Sequence, residues 1–263
     1  MNAELQSFAP DLVSPALLVW TTLRPDHAEV WGHGIEGAAR ALLKGIPRGV
    51  PVVGGAELHV PFVLDMLTAN ENALHTPAVL TSGRVFSHKE ENLALAESAI
   101  DLTSAMFSLS PLAVEQARAA MSDLPPDVAD FRVLRDGTDE LGIAFSANDL
   151  KSTKRLFAET NWTPEETTLL YHHRPDRTAR LKDFLPWINA QPWKEIIFTR
   201  TSRPWFSSQF LFGSAVTWND DLTSPEAFES WRKDRGRVFA CGNAAGWPVE
   251  FLLKNRLLFE VTA

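Results

Sequence analysis

Residues 167–199 read TTLLYHHRPDRTARLKDFLPWINAQPWKEIIFT. The apolar run at 167–172 suits a buried strand, and the rhythm of 177–189 suits a helix. Residues 194–199 supply a second strand. The pattern extends in both directions. Upstream lie a helix at 148–160 and two apolar runs, Phe131–Leu134 and Leu141–Phe145, flanking Asp136-Gly137-Thr138-Asp139. Asp-Gly between apolar runs signals a hairpin. Downstream the expectation is a helix near 225–234, a strand at 237–241, a helix at 246–254 and a strand at 256–261. Strands alternating with helices argue for a mostly parallel sheet covered on both faces.

The first half is read in the same way. Pro15–Thr22 and Val50–Val53 are short apolar strands. Gly34–Lys44 sets Ile35, Ala38, Ala39, Leu42 and Leu43 at helical spacing. His59–Thr68 is a helix with Phe62, Leu64, Met66 and Leu67 as its core residues. Lys89–Ser108 is a longer helix with Leu95, Ala99, Leu102 and Met106 on one face, and Leu112–Met121 is another. Asp123-Leu124-Pro125-Pro126 then marks a boundary. It divides the chain into domains 1–125 and 126–263.

Composition narrows the function. The chain has 263 residues, 45% hydrophobic and 22% charged, with a net charge of -8. That usage is globular, and the acidic balance disfavours a broad phosphate-neutralising surface for nucleic acid. A single cysteine, Cys241, precludes an internal disulfide framework and points to a reducing compartment. No apolar run approaches the roughly 20 residues of a membrane span. The N-terminal residues carry no basic start followed by an apolar stretch. A soluble, cytoplasmic protein is expected, with any membrane attachment made through partners.

Open parallel sheets take ligands at the carboxyl ends of their strands, so the polar clusters after the strands are the candidates. Thr21–Gly32 contains Arg24, Asp26, His27 and Glu29. An imidazole beside carboxylates can hold a divalent cation, while Asp26 can equally cap a solvated loop. Asn148 and Asp149, at a strand-to-helix turn, can accept hydrogen bonds from a ribose or cap the helix. Arg174 and Arg177 can fork onto a carboxylate or polyphosphate, or Asp176 can cap the next helix and pair with an arginine. His172 and His173 point to opposite faces of a strand and have no cysteine nearby, so they do not read as a zinc fragment. Gly242-Asn243-Ala244-Ala245-Gly246 lets backbone amides approach an anion. Cys241 reads as a buried strand-end residue with no histidine locally paired to it.

In this order the clusters resemble the poly-γ-glutamate synthase ligase subunits, relatives of the Mur ligases. Thr22–Gly32 is similar to the family's Asn-x-Arg-x-Asp-His-x-Asp-x-Met-Gly, and His88–Leu102 to its Pro-Glu-Asn-x-Ala-Leu-Ala-x-Ala helix. Ile143–Thr153 is similar to Asn-Ala-Phe-Ala-Ala-Asn-Asp-Pro-Glu-Ser-Thr. His172–Arg180 is similar to Asn-x-Arg-x-Asp-Arg-x-x-Arg, and Ala240–Gly246 to Gly-x-Gly-Asn-x-x-Gly. Asp26, His27, Asn148, Asp149, Arg174, Asp176, Arg177, Gly242 and Asn243 match. Thr22, Glu29, Trp31, Ile143, Leu150, His172 and Ala240 depart.

The resemblance implies a Mur-ligase-like α/β fold. Residues 1–125 would be a remnant of the central ATPase domain, and 126–263 a smaller Rossmann-like C-terminal domain. It implies ATP and Mg²⁺ as cofactors, with His27 at the metal and Asp26 orienting it. Asn148 and Asp149 would face the nucleotide, with Gly242 and Asn243 beside it, and Arg174 and Arg177 would take phosphate or glutamyl carboxylates. The implied reaction is amide-bond formation on glutamate or poly-γ-glutamate through an acyl phosphate. Family members begin with a Gly-x-x-x-x-Gly-Lys-Ser/Thr phosphate loop, and no such run occurs in these residues. The chain thus reads as truncated past that loop. Two expectations follow: a ligase component, inactive alone, that takes its phosphate loop from another chain, or an inactive pseudo-ligase that scaffolds a capsule-polymer complex. Glutamate or a γ-glutamyl chain, a P-loop-bearing chain, membrane synthase subunits and further copies of the chain are the implied partners.

Overall fold

The computed structural model describes residues 10, 12–25, 28–32, 34–84, 86–124, 130–147, 149–200 and 216–255. The chain divides into two compact units, Met1–Leu124 and Pro125–Ala263. It is a mixed α/β fold built on two separate sheets.

In the first unit β1 (Leu18–Trp20), β2 (Val52–Gly54) and β3 (Leu74–His75) run parallel in that order. The helices are α1 (Ala28–Trp31), α2 (Gly34–Leu43), α3 (Pro61–Ala69), α4 (His88–Phe107) and α5 (Pro111–Ser122). Helix α2 turns Ala38, Ala39, Ala41 and Leu43 inward. Small side chains there let its backbone lie close to the core formed by Trp20, Val52, Leu58, Val63 and Leu67. Helix α3 buries Val63 and Leu67, one turn apart, while Phe62 and Met66 pack around them half-buried. Helix α4 starts on a reciprocal cap: Glu90 N donates to Ser87 Oγ and Ser87 N to the Glu90 carboxylate. Ile35 and Met106, both placed on apolar stripes by their spacing, are 43% and 44% exposed. Each sits in a terminal turn, where the helix runs past the core that its stripe covers.

In the second unit the strands are β4 (Arg132–Asp136), β5 (Asp139–Ile143), β6 (Thr167–His173), β7 (Glu195–Arg200), β8 (Val216–Trp218) and β9 (Arg237–Cys241). Their order is β4-β5-β9-β6-β7-β8, and all pairs are parallel except β4 with β5. That pair is the expected hairpin. Asp136 faces Asp139 across Gly137-Thr138, with Gly137 at φ +61°. The helices are α6 (Leu150–Glu159), α7 (Thr178–Ala190), α8 (Pro225–Arg232) and α9 (Trp247–Lys254).

The pleat of β6 divides the core. Leu169 and Tyr171 pack with Leu156 of α6 and with Leu181, Phe184 and Trp187 of α7. Leu170 packs with Phe228 of α8 and with Trp247, Phe251 and Leu252 of α9. Helices therefore cover both faces, which is why β6 is buried along its whole length. The aromatic load serves these cores: every described tryptophan is buried or half-buried. Strands β3 and β8, two and three residues long, are too short for periodicity to reveal. The strand expected at 256–261 lies outside the described residues. Among the described residues no helix is long and apolar enough to cross a membrane.

Phe228 sits at the centre of the second aromatic cluster, 4.7 Å from the Trp247 ring and 5.0 Å from Phe251. Phe228→Ala is expected to cost roughly 3–5 kcal/mol, measured by urea unfolding followed through tryptophan fluorescence. A loss below about 1 kcal/mol would contradict this packing.

Candidate functional site

Strand β9 comes last among the described strands yet lies between β5 and β6. The loops after β5, β6 and β9 therefore emerge side by side at the carboxyl edge. Such a change of direction opens the crevice in which sheets of this kind take ligands.

After β6 the chain makes a tight turn into α7, with Arg177 N donating to the Arg174 carbonyl at 3.0 Å. Arg174 forks onto Asp176, with Nε 3.0 Å from Oδ1 and Nη2 2.6 Å from Oδ2. That hydrogen bonding holds the Asp176 carboxyl below its ordinary range, and the charges of Arg174 and Arg177 add to it. Arg177 Nε lies 3.9 Å from the same carboxylate, and its side chain is mostly covered.

After β9 the chain folds over the end of β6. Gly242 has φ +105°, and a Cβ there would sit 2.5 Å from the His172 carbonyl oxygen. No side chain fits. Asn243 is 2% exposed. Its Nδ2 donates to that carbonyl at 3.1 Å, and its Oδ1 accepts from Arg180 Nη1 at 2.7 Å. The carboxamide thus ties the β9 turn to both β6 and α7. The amides of Ala244, Ala245 and Gly246 donate to no acceptor among the described residues. They lead into the N-terminus of α9, where unpaired N–H groups and the helix dipole favour an anion.

Beneath this turn the His172 ring is fully buried, its Nδ1 2.7 Å from Thr199 Oγ1 and its edges against Phe145 and Trp247. Burial pushes its pKa down to about 4, with the nearby Ala245 backbone working the other way. His173, on the opposite face toward Trp218, is also pushed down to about 4, by burial and then by the Arg200 charge. Both rings are neutral at pH 7. Cys241 is wholly buried, and burial raises its thiol well above the ordinary range. It is no nucleophile.

Asp149 caps α6, accepting from Ser152 N at 2.8 Å and Ser152 Oγ at 2.6 Å. In the first unit Glu57 anchors the loop after β1. It accepts from Leu23 N at 2.6 Å and ion-pairs with Arg24. The loop leads to Asp26 and His27, which lie outside the described residues, as does Asn148. No group of acids, histidines or cysteines able to hold a metal ion occurs among the described residues.

The structure thus gathers Arg174, Arg177, Gly242 and Asn243 at one carboxyl edge, with Asp149 held in a cap. Thr199 and Glu57 escaped the sequence reading, and Arg180, the last arginine of the motif at 172–180, was given no role in it. Arg180 had a signal: with Arg174 and Arg177 it forms a three-residue spacing that leads into the first turn of α7. Thr199 and Glu57 are legible only through contacts distant in sequence.

Residues 135–255 match the poly-gamma-glutamate synthase CapB C-terminal domain. The match spans the motifs at 143–153, 172–180 and 240–246, and those at 22–32 and 88–102 lie outside it. No curated protein matches the chain. Among solved structures, a folylpolyglutamate synthase from Thermotoga maritima aligns over 97% of this chain and 62% of its own, at 16% identity and TM-score 0.53. MurF ligase from Thermotoga maritima, in complex with ADP, aligns over 99% and 65%, at 10% identity and TM-score 0.60. A bifunctional folylpolyglutamate synthase/dihydrofolate synthase with Mn, AMPPNP and L-glutamate bound aligns over 91% and 61%, at 16% identity and TM-score 0.54. At these identities the likeness is one of fold. The chain spans less than two thirds of the length of each.

Two outcomes test this geometry. Gly242→Ala is expected to destabilise the second unit by about 1–3 kcal/mol, seen as a lowered urea midpoint; an unchanged midpoint would contradict the close approach. The imidazoles of His172 and His173 titrate lower in the fold than in the open chain. Their contribution to stability is therefore complete above pH 6.5 and lost as pH falls toward 4. NMR titration should find both rings neutral at pH 5.5, and the unfolding free energy should fall across this window.

Proposed function

We propose that these residues form part of an ATP-dependent amide ligase acting on glutamate or a γ-glutamyl chain. The match of residues 135–255 to the poly-gamma-glutamate synthase C-terminal domain carries the reading. The structure adds a cationic carboxyl edge beside unpaired amides. One structural relative has an ATP analogue, Mn and glutamate bound.

The residues present suit an anion. The amides of Ala244, Ala245 and Gly246, with the positive end of α9, would meet a phosphate or carboxylate. Arg174 and Arg177 would exchange Asp176 for a ligand oxygen, and forked guanidinium contacts would fix its orientation. Asp149 holds the turn after β5 by capping α6. Asp26 and His27 are the residues that would serve a Mg²⁺ ion, helped by phosphate oxygens. ATP, when bound, supplies the phosphoryl group that activates a carboxylate for attack by an amine. His172 is fully buried, with its pKa pushed down to about 4, and so is poorly placed to take a proton from an attacking amine. With no phosphate loop in these residues, turnover requires one from outside them.

A second reading has an observation of its own. Asp149, Asp176 and Asn243 each spend their polar atoms within the fold, as befits a pseudo-ligase kept as a scaffold. Calorimetry separates the two. The ligase reading expects ATP with Mg²⁺ to bind at about 1 mM or tighter, which corresponds to about 4 kcal/mol. Arg174→Ala with Arg177→Ala should weaken binding at least about tenfold, or roughly 1.4 kcal/mol. It also expects no ATP hydrolysis by the chain alone, and glutamate-dependent turnover once a P-loop-bearing chain is added. Absence of binding at millimolar ATP, with no turnover in any such mixture, would leave the scaffold reading.

A further inference from the structure

Around the β9 turn, one charged side chain has a task that no ligand contact explains. Arg180 stands in the first turn of α7 and is half-buried. Its Nη1 donates to Asn243 Oδ1 at 2.7 Å and lies 3.4 Å from the Gly242 carbonyl oxygen. Asn243 is 2% exposed, and its other arm reaches the His172 carbonyl at 3.1 Å. The three links run in series: α7 holds Asn243, Asn243 holds the end of β6, and Gly242 lies flat against that same backbone. A charge-assisted hydrogen bond is the stronger kind, and here it falls on the side chain that ties the turn to β6.

Without Arg180 the Asn243 carboxamide keeps one arm, and its oxygen is left buried without its donor. Such an atom costs free energy to leave unmade, and rotation of the Asn243 side chain toward another donor would pull Gly242 off β6. The amides of Ala244, Ala245 and Gly246 follow directly in the chain, so their direction depends on this anchor.

We propose that Arg180 is a positioning residue for the anion cradle. It clamps Asn243 and so aims the 244–246 amides at the bound phosphate or carboxylate. The proposal rests on the ligand reading given above, and its first test is independent of any ligand.

That test is NMR of the unliganded full chain. In the wild type, the Asn243 side-chain amide protons should exchange slowly and resonate away from the random-coil position. Arg180→Ala should abolish that protection, whereas Arg180→Lys, which keeps a cationic donor, should retain it. The Thr199-bonded ring of His172 should keep its shifts in both variants, reporting an intact sheet. Unchanged Asn243 signals in a folded Arg180→Ala chain would overturn the proposal. If Arg180→Ala fails to fold, Arg180→Gln takes its place under the same criterion.

The second arm measures affinity for ADP. A tenfold or larger loss in Arg180→Ala, restored to within threefold by Arg180→Lys at equal thermal midpoint, supports positioning. Equal affinity in wild type and Arg180→Ala overturns it. Should wild type bind no ADP, the ligand reading fails, and the aiming of amides at a ligand is overturned with it; the Asn243 signals then show only whether the clamp exists.

Discussion

The backbone of His172 is the surface on which the second unit closes. Gly242 approaches it so nearly that a methyl group would overlap the carbonyl oxygen at 2.5 Å. That contact forces the chain leaving β9 to cross the end of β6 instead of turning away into solvent. Once it crosses, the Asn243 carboxamide is the right length to bond the carbonyl that Gly242 covers. The following residues must then enter α9 over Phe145 and Trp247. The close approach thus fixes in succession the turn, the direction of its amides and the seat of α9.

The same closure decides the electrostatics. A protonated imidazole at His172 would lie beneath amides that already carry positive partial charge, with Arg174 adding to the repulsion. Burial keeps the ring neutral instead, and the Thr199 hydroxyl satisfies Nδ1 without adding charge. Formal positive charge at this edge is left to the arginines, Arg174, Arg177, Arg180 and Arg200, with the N-terminus of α9 beside them. An anion at this edge, as proposed above, would be drawn by local direction against an overall charge of -8.

Much of this was legible in order, and less of it in contact. Alternation of apolar runs with helical spacing is a local property, so the strands at 167–172 and 237–241 and the helices between them could be read directly, the first ending one residue short of β6. The Asp-Gly hairpin was equally local. Strands β3 and β8 were not, because two or three residues carry no period and owe their pairing to neighbours already in place. The site divides along the same line. Arg174, Arg177, Gly242 and Asn243 stand in motifs, but that Asn243 faces inward follows from a carbonyl 71 residues away. Arg180 acts 63 residues away, on Asn243, and Glu57 acts 33 residues away, on Arg24. No window of sequence contains either pair.

Positions that depart from the family motifs make sense against this geometry. His172 occupies an asparagine position, yet what the turn uses there is the main-chain carbonyl, which any residue offers. Ala240 replaces a glycine but lies fully buried within β9, paired with Leu170 and Ile143, where extended backbone admits a methyl group. Leu150 replaces a proline at the first residue of α6, where proline is favoured but not required, because that amide needs no partner within the helix. Gly242 and Asn243, by contrast, match the motif where the backbone geometry leaves no choice. Retention at these positions therefore follows from closing the sheet, whether or not the chain turns over substrate. The arginines after β6 stand apart from that closure: the fork of Arg174 onto the exposed Asp176 carboxylate lies outside the packing of the core, and it is there that the proposed ligand reading would be felt.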